Sequence, residues 1–271
     1  MKPFEYFRPE SLNELLALLS AHAPHARLLA GGTDLMVRAR KGLDGPLIVV
    51  DLKRVADLRA DITRVDTRIR IGARAVITDI IDDASIRQHF PALVEAALVV
   101  GSIQIRNRAT LVGNICNASP AADTAPALLA YSAVVNVFGT DGPRSLPLDD
   151  FFTGPGRSIL RHGDVVVSVD LPLPSEPTAG AFVRLTRRHG VDLAIVNLCC
   201  VVRESGTARF GFGAVGPRPI LVECRHDTPV EEIISRATPR SDLRGGADYR
   251  MAMLPILARR ALKKATARIG R

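Results

Sequence analysis

Apolar and polar positions change rhythm along this chain, and the changes mark its elements. Between residues 11 and 20, leucines recur at helical spacing behind Ser11, with acidic Glu14 at the third helical position, which predicts a capped amphipathic helix. Residues 27–30 form a short apolar strand that runs into Gly31-Gly32. The continuous apolar, β-branched run at 46–51 predicts a buried strand, whereas alternation over 63–71 predicts a strand with one face in water. Thr78 is placed to cap a second helix, and an apolar helix over 93–100 should end at Gly101. Further strands are expected at 133–138, 164–171, 181–186, 194–202, 208–212 and 220–222, and a long helix at 249–269. Alternating helices and strands with short connections favour a mixed α+β architecture. The polar, proline-containing stretch 175–180 is the best candidate boundary, giving domains of 1–175 and 176–271.

Composition narrows the class. A chain of 271 residues, 47% hydrophobic and 24% charged, can bury a full core as one large domain or two ordinary ones. No apolar run approaches the roughly 18 residues of a membrane span. The first residues carry no apolar core of a secretory signal, so a cytoplasmic setting is expected. The net charge of +8 is concentrated in part near the end, over 259–268, where cations alternate with Ala, Leu and Ile. A solvated face of an amphipathic helix is one reading, and a contact for an acidic partner subunit is the other. Nucleic acid is not expected, because no aromatic residues interleave the basic ones and no binding module is present. The cysteines, Cys116, Cys199, Cys200 and Cys224, have no spacing suited to zinc or an iron–sulfur cluster. Cys199 and Cys200 are neighbours in a strand-like run and should point to opposite faces as buried, reduced thiols.

Two glycine-bearing segments carry the chemistry. Paired glycines between a strand and a helix, at Gly31-Gly32, are a common way to turn successive amides toward an anion. In the segment 110–123, Gly113 suits a bend or a close approach, and Thr110, Asn114 and Asn117 surround it with small hydrogen-bonding groups. Ser119-Pro120 reads as a cap and first helical position opening a helix that carries Asp123. A phosphate site and a plain turn before a buried helix are both open on these residues. Gly211-Phe-Gly-Ala-Val-Gly216 matches the dinucleotide fingerprint, but Pro217-Arg-Pro219 and a strand-like run follow where that motif needs a helix. No Ser/His/Asp or Cys/His constellation suggests hydrolysis, and the six histidines are scattered.

Taken together, the two segments resemble the FAD-binding (medium) subunits of the molybdenum hydroxylases, the xanthine dehydrogenase and carbon monoxide dehydrogenase group. The resemblance runs from Phe4 almost to the end. It implies an FAD-binding domain of two α/β subdomains, similar to that of the vanillyl-alcohol-oxidase group and split near residue 55, followed by a C-terminal domain of antiparallel sheet and helices. It assigns Ala30, Gly31, Gly32, Thr33 and Asp34 to the FAD pyrophosphate, with Asp34 turned away to cap the helix beginning at Leu35. It sets Val100 and Gly101 beside the flavin ring, and Thr110, Gly113, Asn114 and Asp123 against the ribityl and phosphate portions. Val166 would touch the cofactor through its backbone. Arg184 stands where the family usually has lysine near the pyrimidine end of the ring, where a fixed positive charge favours the reduced flavin. The sequence departs from the pattern at Val112, which replaces the first glycine of the second segment; either that position needs no positive φ or the segment differs.

The function implied is an FAD-containing electron-transfer subunit that passes electrons from the [2Fe–2S] centres of a small partner to NAD, quinone or oxygen. Molybdopterin would sit in a large partner, and neither it nor the clusters in this chain. Assembly as one heterotrimer or as a dimer of heterotrimers stays open, as do the substrate and final acceptor. Two rivals differ in kind. A stand-alone flavin-dependent oxidoreductase would need its own acid or base over the ring. A basic anion-binding module without cofactor would use the glycine segments only as turns.

Overall fold

The computed structural model describes residues 3–42, 48–188 and 190–269. Its first unit is a three-stranded parallel sheet. Strands β1 (Glu5–Phe7), β2 (Ala26–Leu29) and β3 (Ile48–Asp51) lie in the order β1-β3-β2, with helices α1 (Leu12–His22) and α2 (Leu35–Arg40) as crossovers. Ser11 Oγ caps α1 by accepting from the Glu14 amide at 3.2 Å, and Leu15 and Leu19, one turn apart, are buried. The strand expected at 46–51 is observed from Ile48; Pro46 and Leu47 lie outside the described residues.

The second unit is a five-stranded antiparallel sheet with helices packed on it. A hairpin of β4 (Ile62–Val65) and β5 (Arg68–Gly72) precedes helices α3 (Ile77–Asp82), α4 (Ala84–His89), α5 (Pro91–Leu98), α6 (Ile103–Arg106), α7 (Leu111–Cys116) and α8 (Thr124–Ala130). Strands β6 (Val134–Gly139) and β7 (Gly142–Pro147), helix α9 (Leu148–Phe151), the small ribbon of β8 (Phe152–Gly154) and β9 (Arg157–Ser158), and β10 (Val165–Pro172) follow. The sheet order is β4-β5-β10-β6-β7. The single strand expected over 63–71 is therefore two strands: Asp66 turns the chain with φ +51°, a conformation that Asp tolerates better than most side chains. The helix expected to be capped by Thr78 starts two residues earlier, with Val76 at its cap position. Asp79 accepts from the Val76 amide, and Thr78 Oγ1 instead donates to Asn107 Oδ1. Gly101 takes φ +51° just beyond α5, as a helix-ending glycine can.

The third unit is a four-stranded antiparallel sheet, β11 (Thr178–Leu185), β12 (Val196–Arg203), β13 (Thr207–Gly213) and β14 (Ile220–Arg225), with a short helix α10 (Val230–Ile233) and the long α11 (Ala247–Thr266). This sheet is covered on both faces. Leu198, Cys200 and Phe210 pack with Leu254, Leu257 and Ala261 of α11, whereas Phe182, Cys199 and Val201 join the core built by α5 and α8. Cys199 and Cys200 thus lie in different cores, as the period of a strand requires. The basic end of the chain is only partly a solvated face. Lys264 and Arg268 reach Glu95 of α5, Arg268 also donates to the Gly180 carbonyl, and Arg259 pairs with Glu231.

Candidate functional site

A groove of about 460 Å³ lies between the β2–α2 loop, the start of α7 and the start of β10. Its first wall is backbone. Gly32 takes φ +76°, which only glycine adopts without strain, and Gly31 packs so closely on the opposite wall that a Cβ there would overlap the carbonyl of Arg108. Glycine at 31 is thus what allows the two chain segments to meet. Among the described residues, the amides of Gly31, Gly32, Thr33 and Asp34 have no backbone or side-chain acceptor. Amides left unpaired beside a groove are what an anionic ligand would satisfy. Asp34 occupies the cap position of α2, but its side chain accepts no cap bond, contrary to expectation. Loss of hydration in the cleft raises its carboxyl, and Arg38, one turn along α2, pulls it back.

The second wall differs from the expected open bend. Thr110 caps α7, its hydroxyl accepting from the Gly113 amide at 3.0 Å, and Gly113 sits inside the helix without a positive φ. Its missing side chain has a steric role, since a Cβ would stand 2.8 Å from the Thr110 hydroxyl. Val112 has ordinary helical backbone and a buried side chain, so no glycine is needed there. Ser119-Pro120 does not open a helix. Ser119 makes a turn, accepting from the amides of Ala121 and Ala122, and α8 starts at Thr124 with Asp123 at its cap position. The wall is pinned from behind, where Ile77 donates to Ala109 and Leu111 to Ala75. Val165 and Val166 of β10 close the far side with Asp164, which the Arg144 guanidinium grips in a two-point ion pair.

Of the residues singled out in the sequence, Ala30 to Asp34, Thr110, Gly113, Asn114 and Val166 line this one groove. Val100, Gly101, Asp123 and Arg184 do not. Asp123 and Arg184 instead meet in a buried cluster beside the Val99–Gly101 segment. Arg184 Nη1 donates to Asp123 Oδ2 at 3.0 Å and to the Val99 carbonyl at 3.2 Å, and Nη2 to the Gly190 carbonyl at 3.2 Å. Arg106 holds the Val100 and Gly101 carbonyls, each at 3.2 Å. Burial pushes the Asp123 carboxyl up, to about 6, against the opposing pull of Asn197 and Arg184. Groove and cluster are linked through α7 and α8: Thr124, next to Asp123, donates to Asn114 Oδ1 at 2.7 Å.

Sequence reasoning missed Asn197, which donates to Asp123 Oδ1 at 2.7 Å. The signal was present, a lone amide in the apolar run 194–202. It also missed the true task of the false dinucleotide motif. Gly211 and Gly213 lie on β13, where a Cβ would overlap the Pro126 carbonyl and the Asn197 side chain respectively, so these glycines let α8 settle on the sheet. Cys116, at the groove, has its thiol pushed up to about 12 by burial and carries no nucleophile at neutral pH.

Comparison with known proteins finds relatives along the whole chain. Residues 2–174 match the family model described as the FAD binding domain in molybdopterin dehydrogenase. The xanthine dehydrogenase FAD-binding subunit of Escherichia coli O157:H7 is 31% identical, over 98% of this chain and 97% of that protein. The carbon monoxide dehydrogenase medium chain of Hydrogenophaga pseudoflava is also 31% identical, over 98% of each. Among solved structures, carbon monoxide dehydrogenase from Hydrogenophaga pseudoflava superposes with a TM-score of 0.90 over 100% of both chains at 31% identity. Quinoline 2-oxidoreductase from Pseudomonas putida 86 gives 0.88 over 98% of each chain at 28% identity.

Proposed function

The chain belongs to the family of FAD-binding domains of molybdopterin dehydrogenases, and on that premise we propose that it is the FAD-carrying electron-transfer subunit of a multi-subunit molybdenum hydroxylase. In this reading its partners are a large molybdopterin-binding subunit and a small [2Fe–2S] subunit. Electrons arrive from the small partner and leave to NAD, quinone or oxygen. Relatives named as xanthine and nicotinate dehydrogenase FAD subunits and as a carbon monoxide dehydrogenase medium chain support the assignment to an oxidoreductase complex.

The observation that carries the reading is the run of unpaired amides at Gly31 to Asp34, in residues that line a groove whose other wall is the start of α7. The fit to FAD rests on this chain's own atoms. The four amides suit a diphosphate, each bond to a charged oxygen contributing about 1.5–3 kcal/mol. Thr110 and Asn114 offer hydroxyl and amide partners to a polyol chain, and Val166 offers main chain from β10. Val100, Gly101 and Arg184 would flank the ring, with Arg184 as the fixed positive charge, while Asp123, expected against the ribityl and phosphate portions, stands outside the groove and holds Arg184. When bound, the flavin supplies redox chemistry that accepts electrons singly and delivers them in pairs, so no protein acid or base is required. The break between β10, ending at Pro172, and β11, starting at Thr178, supports a domain boundary near 176, and the end of the parallel sheet supports a subdomain split near 55.

The test is direct. The full chain, isolated with its companions or refolded with FAD, is expected to be yellow and to hold one FAD per chain by absorbance after desalting. A colourless chain that takes up no FAD under either condition sinks the proposal.

A further inference from the structure

Asn197 is a polar group where its strand neighbours are apolar. It is fully buried; its amide nitrogen donates to Asp123 Oδ1 at 2.7 Å, while its carbonyl oxygen has no donor among the described residues. A buried acceptor left unpaired is destabilising, and such features persist where the group serves something other than stability. Room for the carboxamide comes from Gly213, where a Cβ would overlap that oxygen. Arg184 pairs directly with Asn197 across β11 and β12, and Asn197 with Gly213 across β12 and β13, so the sheet presents one lateral row to Asp123. Two members of the row hold separate oxygens of one carboxylate, Arg184 taking Oδ2 and Asn197 taking Oδ1.

The geometry points to Asn197 as a positioning residue for the flavin chemistry: by holding one oxygen of Asp123, it fixes the carboxylate that fixes Arg184. This rests on the reading above, in which Arg184 is the charge set toward the flavin. A carboxylate bonded at Oδ2 alone can pivot about that contact, and bonding at both oxygens removes the freedom. The other partners of Arg184, the carbonyls of Val99, Gly190 and Asp192, orient the guanidinium without neutralising it. The Asp192 carboxylate is turned to its own loop, accepting from the Arg188 and Leu193 amides. Asp123 is therefore the anion that governs Arg184, and Asn197 governs Asp123.

The experiment is a redox titration of the FAD-loaded full chain carrying Asn197→Leu or Asn197→Asp. Asn197→Leu removes the donor at nearly constant volume. Flavin content should hold at the wild-type level while the reduced-to-oxidised ratio at a fixed potential shifts about tenfold, roughly 30 mV for a two-electron couple. Asn197→Asp sets two carboxyls together, and at acidic pH a single shared proton can stand in for the amide. That variant's offset from wild type should grow between about pH 5 and about pH 8, as the pair loses the shared proton and gains a second charge. Should Asn197→Leu fail to fold, the pH-dependent divergence of Asn197→Asp carries the test alone. An unchanged potential in Asn197→Leu, a pH-independent offset in Asn197→Asp, or flavin loss from both variants overturns the inference. A wild-type chain that takes up no flavin is a separate result, which overturns the proposed function beneath it.

Discussion

The groove and the Arg184 cluster are built by opposite means. The groove is made of main chain: two segments meet because Gly31 has no side chain to hold them apart, and its useful groups are amides. The cluster is made of side chains, drawn from α8, β11 and β12, with each charged group partnered. A site of the first kind fails when an atom is added, and one of the second kind fails when an atom is removed. The contrast also sorts the two by robustness. Overpacking at a backbone contact leaves no rotamer to escape into, whereas a lost side-chain bond leaves a charge that can change protonation.

The sharpest way to break that contrast is Gly31→Ala. The added methyl must push the 108–109 segment away, so retention of FAD should drop by more than about 100-fold, an effect of about 3 kcal/mol, read as the FAD-to-protein ratio after dialysis. Gly32→Ala is the milder control. Its Cβ meets the flexible end of Leu29, and the positive φ costs about 1 kcal/mol, so FAD should bind more weakly without being lost.

Arg184→Gln works by removal. It leaves the Asp123 carboxylate buried beside Asn197 alone, and breaking a buried pair of this kind costs about 3 kcal/mol, softened if Asp123 takes up a proton. A lower Tm at pH 8, partly recovered at pH 5, is the expected outcome. A Tm loss equal at both pH values would mean that Asp123 never protonates.

A smaller effect separates two carboxylates by sign. The folded-state value for Asp123 is raised to about 6, above its unfolded value. Its contribution to stability is therefore fully present below the unfolded value and is lost as pH rises through about 6. Glu95 is also desolvated, which alone would raise it, but Arg268 and Lys264 hold it below its ordinary value. Its contribution is present above the unfolded value and disappears as pH falls through the folded one. Thermal melts across pH should show Asp123→Asn flattening the curve on the side from pH 4 to 6, and Glu95→Gln flattening only the acid limb. The Glu95 effect should be about 1 kcal/mol, because that side chain is a quarter exposed.

The same contrast explains what could be read from the sequence. The glycine loop was legible because its signal is local, two glycines between an apolar strand and a helix. The strands of the third sheet were legible from unbroken apolar runs, and the opposite orientations of Cys199 and Cys200 from the period of a strand. Helix α7 was hidden because Gly113 and Asn114 are poor helix formers, and the bonds that pin its entry come from residues more than thirty positions away in the chain, Ala75 and Ile77. The Asp66 turn was missed because it lacks glycine, so alternation seemed to run on through it. Ser119-Pro120 carried the right residues for a helix start but closes a turn instead. Asn197 could be seen as odd but not placed, since its partner is set by a register between strands and a helix far away in sequence. Local backbone demands leave a signature in a few adjacent letters; a side-chain cluster leaves one only in the pairing of distant ones.

Two thiols one residue apart, Cys199 and Cys200, sit in separate hydrophobic cores, one walled by α5 and α8 and the other by α11. Burial raises both well above the ordinary thiol range, so in the native fold neither reacts with an alkylating reagent and the two cannot meet as a strained vicinal bridge. The chain therefore carries its own pair of reporters. Pulsed alkylation in mild denaturant, followed by mass mapping of that one peptide, tells which half of the sandwich opens first.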